Sequence, residues 1–253
     1  MLNFKKFGDG EQVLIILHGL FGSLDNWQSV AKIFAKDYTV YILDQRNHGK
    51  SPHYKEHNYS LMSVDLDEFM SSEIVEHAHL LGHSMGGKTV MQFAVDFPHK
   101  LDKLIVADIA PKYYEPHHQL IIKALTAVDF NKVNNRREVE YVLAKYIKDP
   151  GVCQFLLKGL TWVSKEKMGW KFNLETLSTQ IENIGEALDG HVYFTNPTLF
   201  LKGENSNYIK DEDLELIEAC FPVSDLVQIN NAGHWLHAEN QKDFVQEVLT
   251  FLK

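Results

Sequence analysis

Cysteine is scarce in this chain: Cys153 and Cys220 are the two in 253 residues. Neither lies in a metal-ligand spacing, and two thiols build no disulfide framework, so reduced structural thiols are expected. No H-E-x-x-H pattern or comparable constellation occurs, and no metal site is expected. No apolar run approaches the roughly 20 residues of a membrane span, which excludes stable membrane insertion. The N-terminus has no long apolar segment after Lys5 and Lys6. It does not read as a signal peptide, and a cytoplasmic location is expected. Positive charge is in deficit, 25 Lys and Arg against 34 Asp and Glu, for a net charge of −9. That sign opposes nucleic-acid backbones and anionic membrane surfaces as partners, while a local basic patch for an anionic substrate stays open. Nothing repeats at a fixed period.

What is present is an ordinary globular balance, 45% hydrophobic and 23% charged, enough to bury a large core. Short apolar runs at residues 13–17, 39–43, 78–81, 104–107, 198–201 and 226–229 read as strands, several buried on both faces. Residues 2–7 alternate apolar and polar before Gly8-Asp9-Gly10, which predicts an edge strand and hairpin. Helical patterns fill the intervals, and an amphipathic helix is expected over 241–252. Strands alternating with helices predict an α/β fold with a mostly parallel sheet and right-handed crossovers. From 111 to about 190 the pattern is helical with no convincing strand. The expected organisation is therefore a core of residues 1–110 and 191–253, interrupted by a helical cap at 111–190.

Gly82-His83-Ser84-Met85-Gly86 lies between the 78–81 run and a helical pattern over 89–97. Strand, tight turn and helix form the context in which G-x-S-x-G becomes a nucleophile elbow. A serine hydroxyl needs a base to take its proton, and the base needs a carboxylate to hold its tautomer. The order in elbow hydrolases is Ser, acid, His. His234, in Gly233-His234-Trp235 after the last strand, fits as the base, with His237 its rival. Asp108, directly at a strand end, fits as the acid, with Glu204 the alternative. Oxyanion donors are expected from the N–H groups of Met85 and Leu20, with Phe21 as alternative to Leu20. His18 is expected to order that loop, and His83 to pack beneath the elbow. His77 and His79, the pair His117-His118, and the residues from His53 to His57 read as surface. Phe21, Phe155, Trp162 and Trp235 are candidate substrate-lining residues. Arg46, Lys88, Lys112, Arg136 and Arg137 are either ligands for an anionic leaving group or solvated surface charges, the second being preferred.

His18-Gly19-Leu20-Phe21-Gly22, Asp44-Gln45-Arg46-Asn47-His48-Gly49-Lys50-Ser51, Gly82 to Lys88 and Gly233-His234 follow one another in order. Through them the chain resembles the α/β-hydrolase family, and within it small bacterial serine esterases of the YbfF type. That resemblance implies cleavage of carboxylic esters or acyl thioesters, no cofactor, and a small-molecule substrate as partner for a monomer or small homo-oligomer. Carbon–carbon hydrolases or lyases on the same triad, and a silent ligand-binding relative, are the alternatives. Many family members carry the acid after the later strand, where this chain has Ser206; the departure favours Asp108.

Overall fold

The structure, a computed structural model, describes residues 1–115, 118–188 and 192–253. A seven-stranded sheet forms its centre: β1 (Phe4–Phe7), β2 (Val13–Leu17), β3 (Thr39–Leu43), β4 (Ala78–His83), β5 (Leu101–Ala107), β8 (Thr198–Gly203) and β9 (Ser224–Ile229), in the spatial order β1-β3-β2-β4-β5-β8-β9. Every pairing is parallel except β1 with β3. The four-residue β1 does not form the expected hairpin with β2. The crossover from β2 brings β3 alongside it in parallel register, Val13 opposite Thr39, and β4 occupies the other edge of β2. The free edge of β3 is what remains, and there Phe4 pairs with Leu43.

Side chains alternate across the sheet with period two. Ile15, Leu17, Tyr41, Leu43, Leu80, Leu104, Val106 and Phe200 face one cluster, packed by α2 (Tyr59–Ser72), α3 (Met85–Asp96) and α9 (Leu214–Cys220). Leu14, Ile16, Val40, Ile42, Leu81, Ile105 and Leu199 face the other, packed by α1 (Gln28–Phe34) and α11 (Gln241–Leu252). Burial on both faces is why these strands read as continuous apolar runs. His79 is also caught in it. It is buried against the edge of Tyr38 rather than facing solvent as expected, because β4 is held between β2 and β5.

Between β5 and β8 the chain makes α4 (Gln119–Thr126), α5 (Arg136–Leu143), α6 (Pro150–Leu157), α7 (Leu174–Thr179) and α8 (Ile181–Gly185). It also makes an antiparallel hairpin that the sequence pattern did not reveal, β6 (Leu160–Trp162) and β7 (Met168–Trp170). Strands of three residues are too short for alternation to register. The apolar side chains of this insert form a third cluster with Leu20, Phe21, Tyr59, Met62 and Met85, so it packs directly onto the elbow and the loop after β2.

One helix end is strained without a packing reason. The N–H of Val75 reaches the carbonyl of Met70, closing α2 in a Schellman turn, and Ile74 in the left-handed position has φ 57° and is 87% exposed. A β-branched residue there carries a steric penalty that glycine lacks. Ile74→Gly is expected to raise unfolding stability by about 1 kcal/mol, read from urea midpoints at constant slope.

Candidate active site

The turn from β4 into α3 is built on backbone contact. A Cβ on Gly82 would lie 2.1 Å from the carbonyl oxygen of Gly86, and one on Gly86 would lie 2.6 Å from that of Leu17. With no side chains in the way, the turn closes tightly and puts Ser84 at φ 54° and ψ −118°. The Ser84 N–H is tied to the Ala107 carbonyl at 3.0 Å. Met85 begins α3, where the first backbone N–H groups take no partner within the helix.

The loop after β2 is set by two buried histidines. His18 Nδ1 lies 2.8 Å from the Gly19 carbonyl, and its Nε2 accepts the Gln45 N–H at 3.1 Å. His48 Nδ1 lies 2.9 Å from the Arg46 carbonyl, and its Nε2 accepts the Phe21 N–H at 3.1 Å. Both rings are therefore the neutral Nδ1–H tautomer, donor on one side and acceptor on the other. Burial holds both below the usual histidine range. The Phe21 N–H is spent on His48, which removes it as a donor toward Ser84. The Phe21 side chain, at φ 60°, packs on Phe172.

Asp108 stands just past β5, fully buried, at φ 54°. Its Oδ1 accepts the Gly203 N–H at 3.1 Å. Its Oδ2 accepts the hydroxyl of Ser206 and lies 2.7 Å from His234 Nδ1. The imidazole thus donates from Nδ1, which leaves Nε2 for the cavity. Tyr208 stacks on the imidazole at 3.9 Å between centroids and 15° between planes, fixing the ring. His83 lies buried beneath the elbow, its Nε2 2.7 Å from the His234 carbonyl. Glu204 does not reach the imidazole; its carboxylate accepts the Asn231 N–H at 2.6 Å and shapes the loop. His237 is buried and stacked on Trp27 at 4.1 Å. The sequence does not mark Ser206 as a donor to Asp108 or Tyr208 as a partner of His234, since neither a hydroxyl donor nor a stacked ring leaves a periodic trace.

Ser84, His234, Leu20, Phe21, Phe155 and Trp235 line one cavity of about 310 Å³. Phe155 and Trp235 meet across it at 5.2 Å. Trp162 is not there. It lies 59% exposed on β6, in a surface groove with Arg136 and Lys158, because the hairpin turns its side chain away from the elbow. The candidate cations also have other uses. Arg46 is buried in a two-pronged pair with Asp65, at 2.6 and 2.8 Å. Lys112 pairs with Asp213, Arg136 bonds the Leu157 carbonyl, and Lys88 is wholly buried. Arg137 lines a separate surface groove with Lys132 and Tyr141. His57 is buried rather than on the surface, near the His48 ring at 5.7 Å, whereas His53 and His77 are exposed. His118 borders the cavity, and His117 lies outside the described residues. Among the described residues, no group of three or more His, Cys, Asp or Glu is placed to hold a metal ion.

The buried histidines set a pH dependence. Burial first, then neighbouring charges, pushes His57 and His237 down to about 3 and lowers His48 and His83; burial alone lowers His18, against the Asp44 carboxylate. An unfolded histidine titrates near 6.5, so between that value and the depressed ones the unfolded chain binds more protons. The contribution of His57 and His237 to stability is complete above about pH 6.5 and is lost as pH falls toward about 3; that of His18, His48 and His83 is lost in the same direction. His57 and His237 are each expected to add ~1.4 kcal/mol per pH unit inside that window. Urea midpoints measured between pH 7.5 and 4.5 test this, and His237→Phe should reduce the slope.

The model of the alpha/beta hydrolase fold matches residues 12–129. The chain is 37% identical over 255 residues to a Danio rerio protein named sn-1-specific diacylglycerol lipase ABHD11, covering 97% of this chain and 80% of that one. It is 34% identical over 240 residues to the Escherichia coli esterase YbfF, covering 94% and 92%. A solved marine microorganism esterase superposes with a TM-score of 0.96 at 44% identity, covering 99% of this chain and 98% of that one. In sequence over nearly its whole length, and in the order of its strands, this chain belongs to the α/β-hydrolase family.

Proposed function

We propose that this chain is a serine esterase that cleaves carboxylic esters of apolar groups through an acyl-enzyme. The observation that carries the reading is the Asp108–His234 hydrogen bond, placed on the wall of the cavity into which the strained Ser84 opens. Its relatives named esterase and lipase support ester hydrolysis.

In this reading Ser84 Oγ attacks the ester carbonyl carbon while His234 Nε2 takes its proton. The carbonyl oxygen becomes an oxyanion held by the Leu20 and Met85 N–H groups. Asp108 keeps the imidazole in the Nδ1–H form and stabilises its charged state. The tetrahedral species collapses, the C–O bond to the leaving alcohol breaks, and His234 returns the proton to that oxygen. Water then attacks the acyl-Ser84 carbonyl with His234 again as base, releasing the acid and the free serine. Ile121, Val152, Phe155, Leu156 and Trp235 give the cavity its apolar walls, and the insert that carries the first four roofs the site. Esters are favoured over coenzyme A thioesters because Arg46, Lys88, Lys112 and Arg136 are held by internal partners.

Hydrolysis of p-nitrophenyl acetate and butyrate tests the reading. The wild-type chain should release p-nitrophenol with a burst, and Ser84→Ala should remove it. Equal inertness of wild type and Ser84→Ala across acyl lengths would favour a ligand-binding relative without turnover. Asp108→Asn is expected to lower kcat by roughly 10³–10⁴-fold, whereas Glu204→Gln leaves it within about threefold. The opposite ranking would move the acid to Glu204.

A further inference from the structure

Ser84 borders two spaces. Besides the large cavity there is a chamber of about 30 Å³, walled by Tyr59, Ile109, Tyr114, Ile184, Gly185 and Tyr208 among others. Most of that wall is the neck of the insert, where the chain leaves β5 and where it returns toward β8. The two crossings are bonded to each other: the Tyr114 N–H donates to Gly185 at 2.8 Å, and the Leu188 N–H donates to Pro111 at 3.0 Å. The Tyr59 hydroxyl, on α2, ties the returning crossing to the core through the Ile184 carbonyl at 2.7 Å.

Lys88 lies directly beneath this neck. It sits one turn after Ser84 on α3, with no exposed surface. Its ammonium donates to the Lys112 carbonyl on the outgoing crossing, at 2.6 Å, and to the Glu186 carbonyl on the returning one. The rings of Tyr59 and Tyr114 face it at 5.8 and 5.3 Å. A buried ammonium is tolerated only when acceptors replace its water, and here backbone carbonyls and ring faces do so.

We propose that Lys88 is a positioning residue: its ammonium clasps the two crossings of the insert and so sets the fit of the substrate group held in the small chamber beside Ser84. The clasp rests on geometry alone; only its consequence for substrate rests on the esterase reading. The charged and titratable groups facing it are Tyr59 on α2, Lys112 and Tyr114 after β5, and Glu186 after α8. Lys112 is itself held by Asp213 at 2.6 Å. Burial pushes the Lys88 ammonium down to about 7, opposed by Glu186 and assisted by Lys112. Deprotonation would leave weaker donors and a lone pair against two carbonyl oxygens, so the clasp loosens as pH rises through about 7.

The test compares amide hydrogen exchange at Tyr114 and Leu188 with that at Leu81 in β4, in the full chain from pH 6 to pH 8. After correction for intrinsic exchange, protection at the neck should fall about tenfold relative to Leu81 as pH rises, and should be low at every pH in Lys88→Met. That variant should also raise KM for p-nitrophenyl butyrate by about tenfold while kcat changes less than threefold. Neck protection that tracks Leu81 at every pH overturns the proposal, as does a folded Lys88→Met with wild-type KM and protection. If Lys88→Met fails to fold, the wild-type exchange profile alone decides. If the wild type hydrolyses no ester, the esterase reading falls while the exchange experiment still decides the clasp.

Discussion

The site stands on a contact that has no room for a side chain. The backbone of Gly82 lies against that of Gly86, and Gly86 against Leu17 and His18. These approaches let β4 turn into α3 within one residue, and that residue, Ser84, is left in a conformation that serine does not otherwise favour. Strain of this kind is on the order of 1–3 kcal/mol and persists only where the surroundings over-determine it. Here they do: β4 is laddered on both sides, α3 is buried along most of its length, and the Ser84 N–H is tied to β5. The same tie carries over to Asp108, the residue after Ala107, whose own N–H is held by Leu201 of β8. Three adjacent strands thus fix hydroxyl and carboxylate in one frame.

Most of this frame is legible in the sequence, because its parts leave marks. Strands buried on both faces write continuous apolar runs, and a turn without room writes glycines. A fixed chain order narrows thirteen histidines to those after the serine, and the glycine-flanked loop past the last strand points to His234, with His237 its rival. What stays hidden follows from the same logic. Ser206 and Tyr208 act through one hydroxyl and one ring face, and neither has a period or a neighbour that announces it. An apolar residue in a helical insert does not say which way it turns, and Trp162 turns outward. A charged letter does not reveal its burial, so Lys88 and Arg46 read as surface although they lie inside. The order of β1 relative to β3 depends on which edge remains open after the crossovers are complete, a global property that no local window contains.

His18 and His48 serve this protein as scaffolding. Each joins a backbone N–H to a backbone carbonyl through one rigid ring, a task that demands a donor and an acceptor at opposite ends. Protonation would put a second donor against an N–H. Burial, which keeps these rings neutral, therefore also keeps the loop bearing Leu20 in place. His234 differs in being partly open to the cavity, with a carboxylate on one side and free space on the other.

The insert leaves the sheet and returns to it through hydrogen-bonded neighbours, Tyr114 with Gly185 and Pro111 with Leu188. A closed base of this kind makes the intervening chain a self-contained excursion, and the entropy of closing such a loop grows only slowly with its length. The β5–β8 register is set below that base, by Leu104 against Thr198 through Ala107 against Leu201. The excursion can therefore lengthen, shorten or be replaced without shifting a single rung of that ladder.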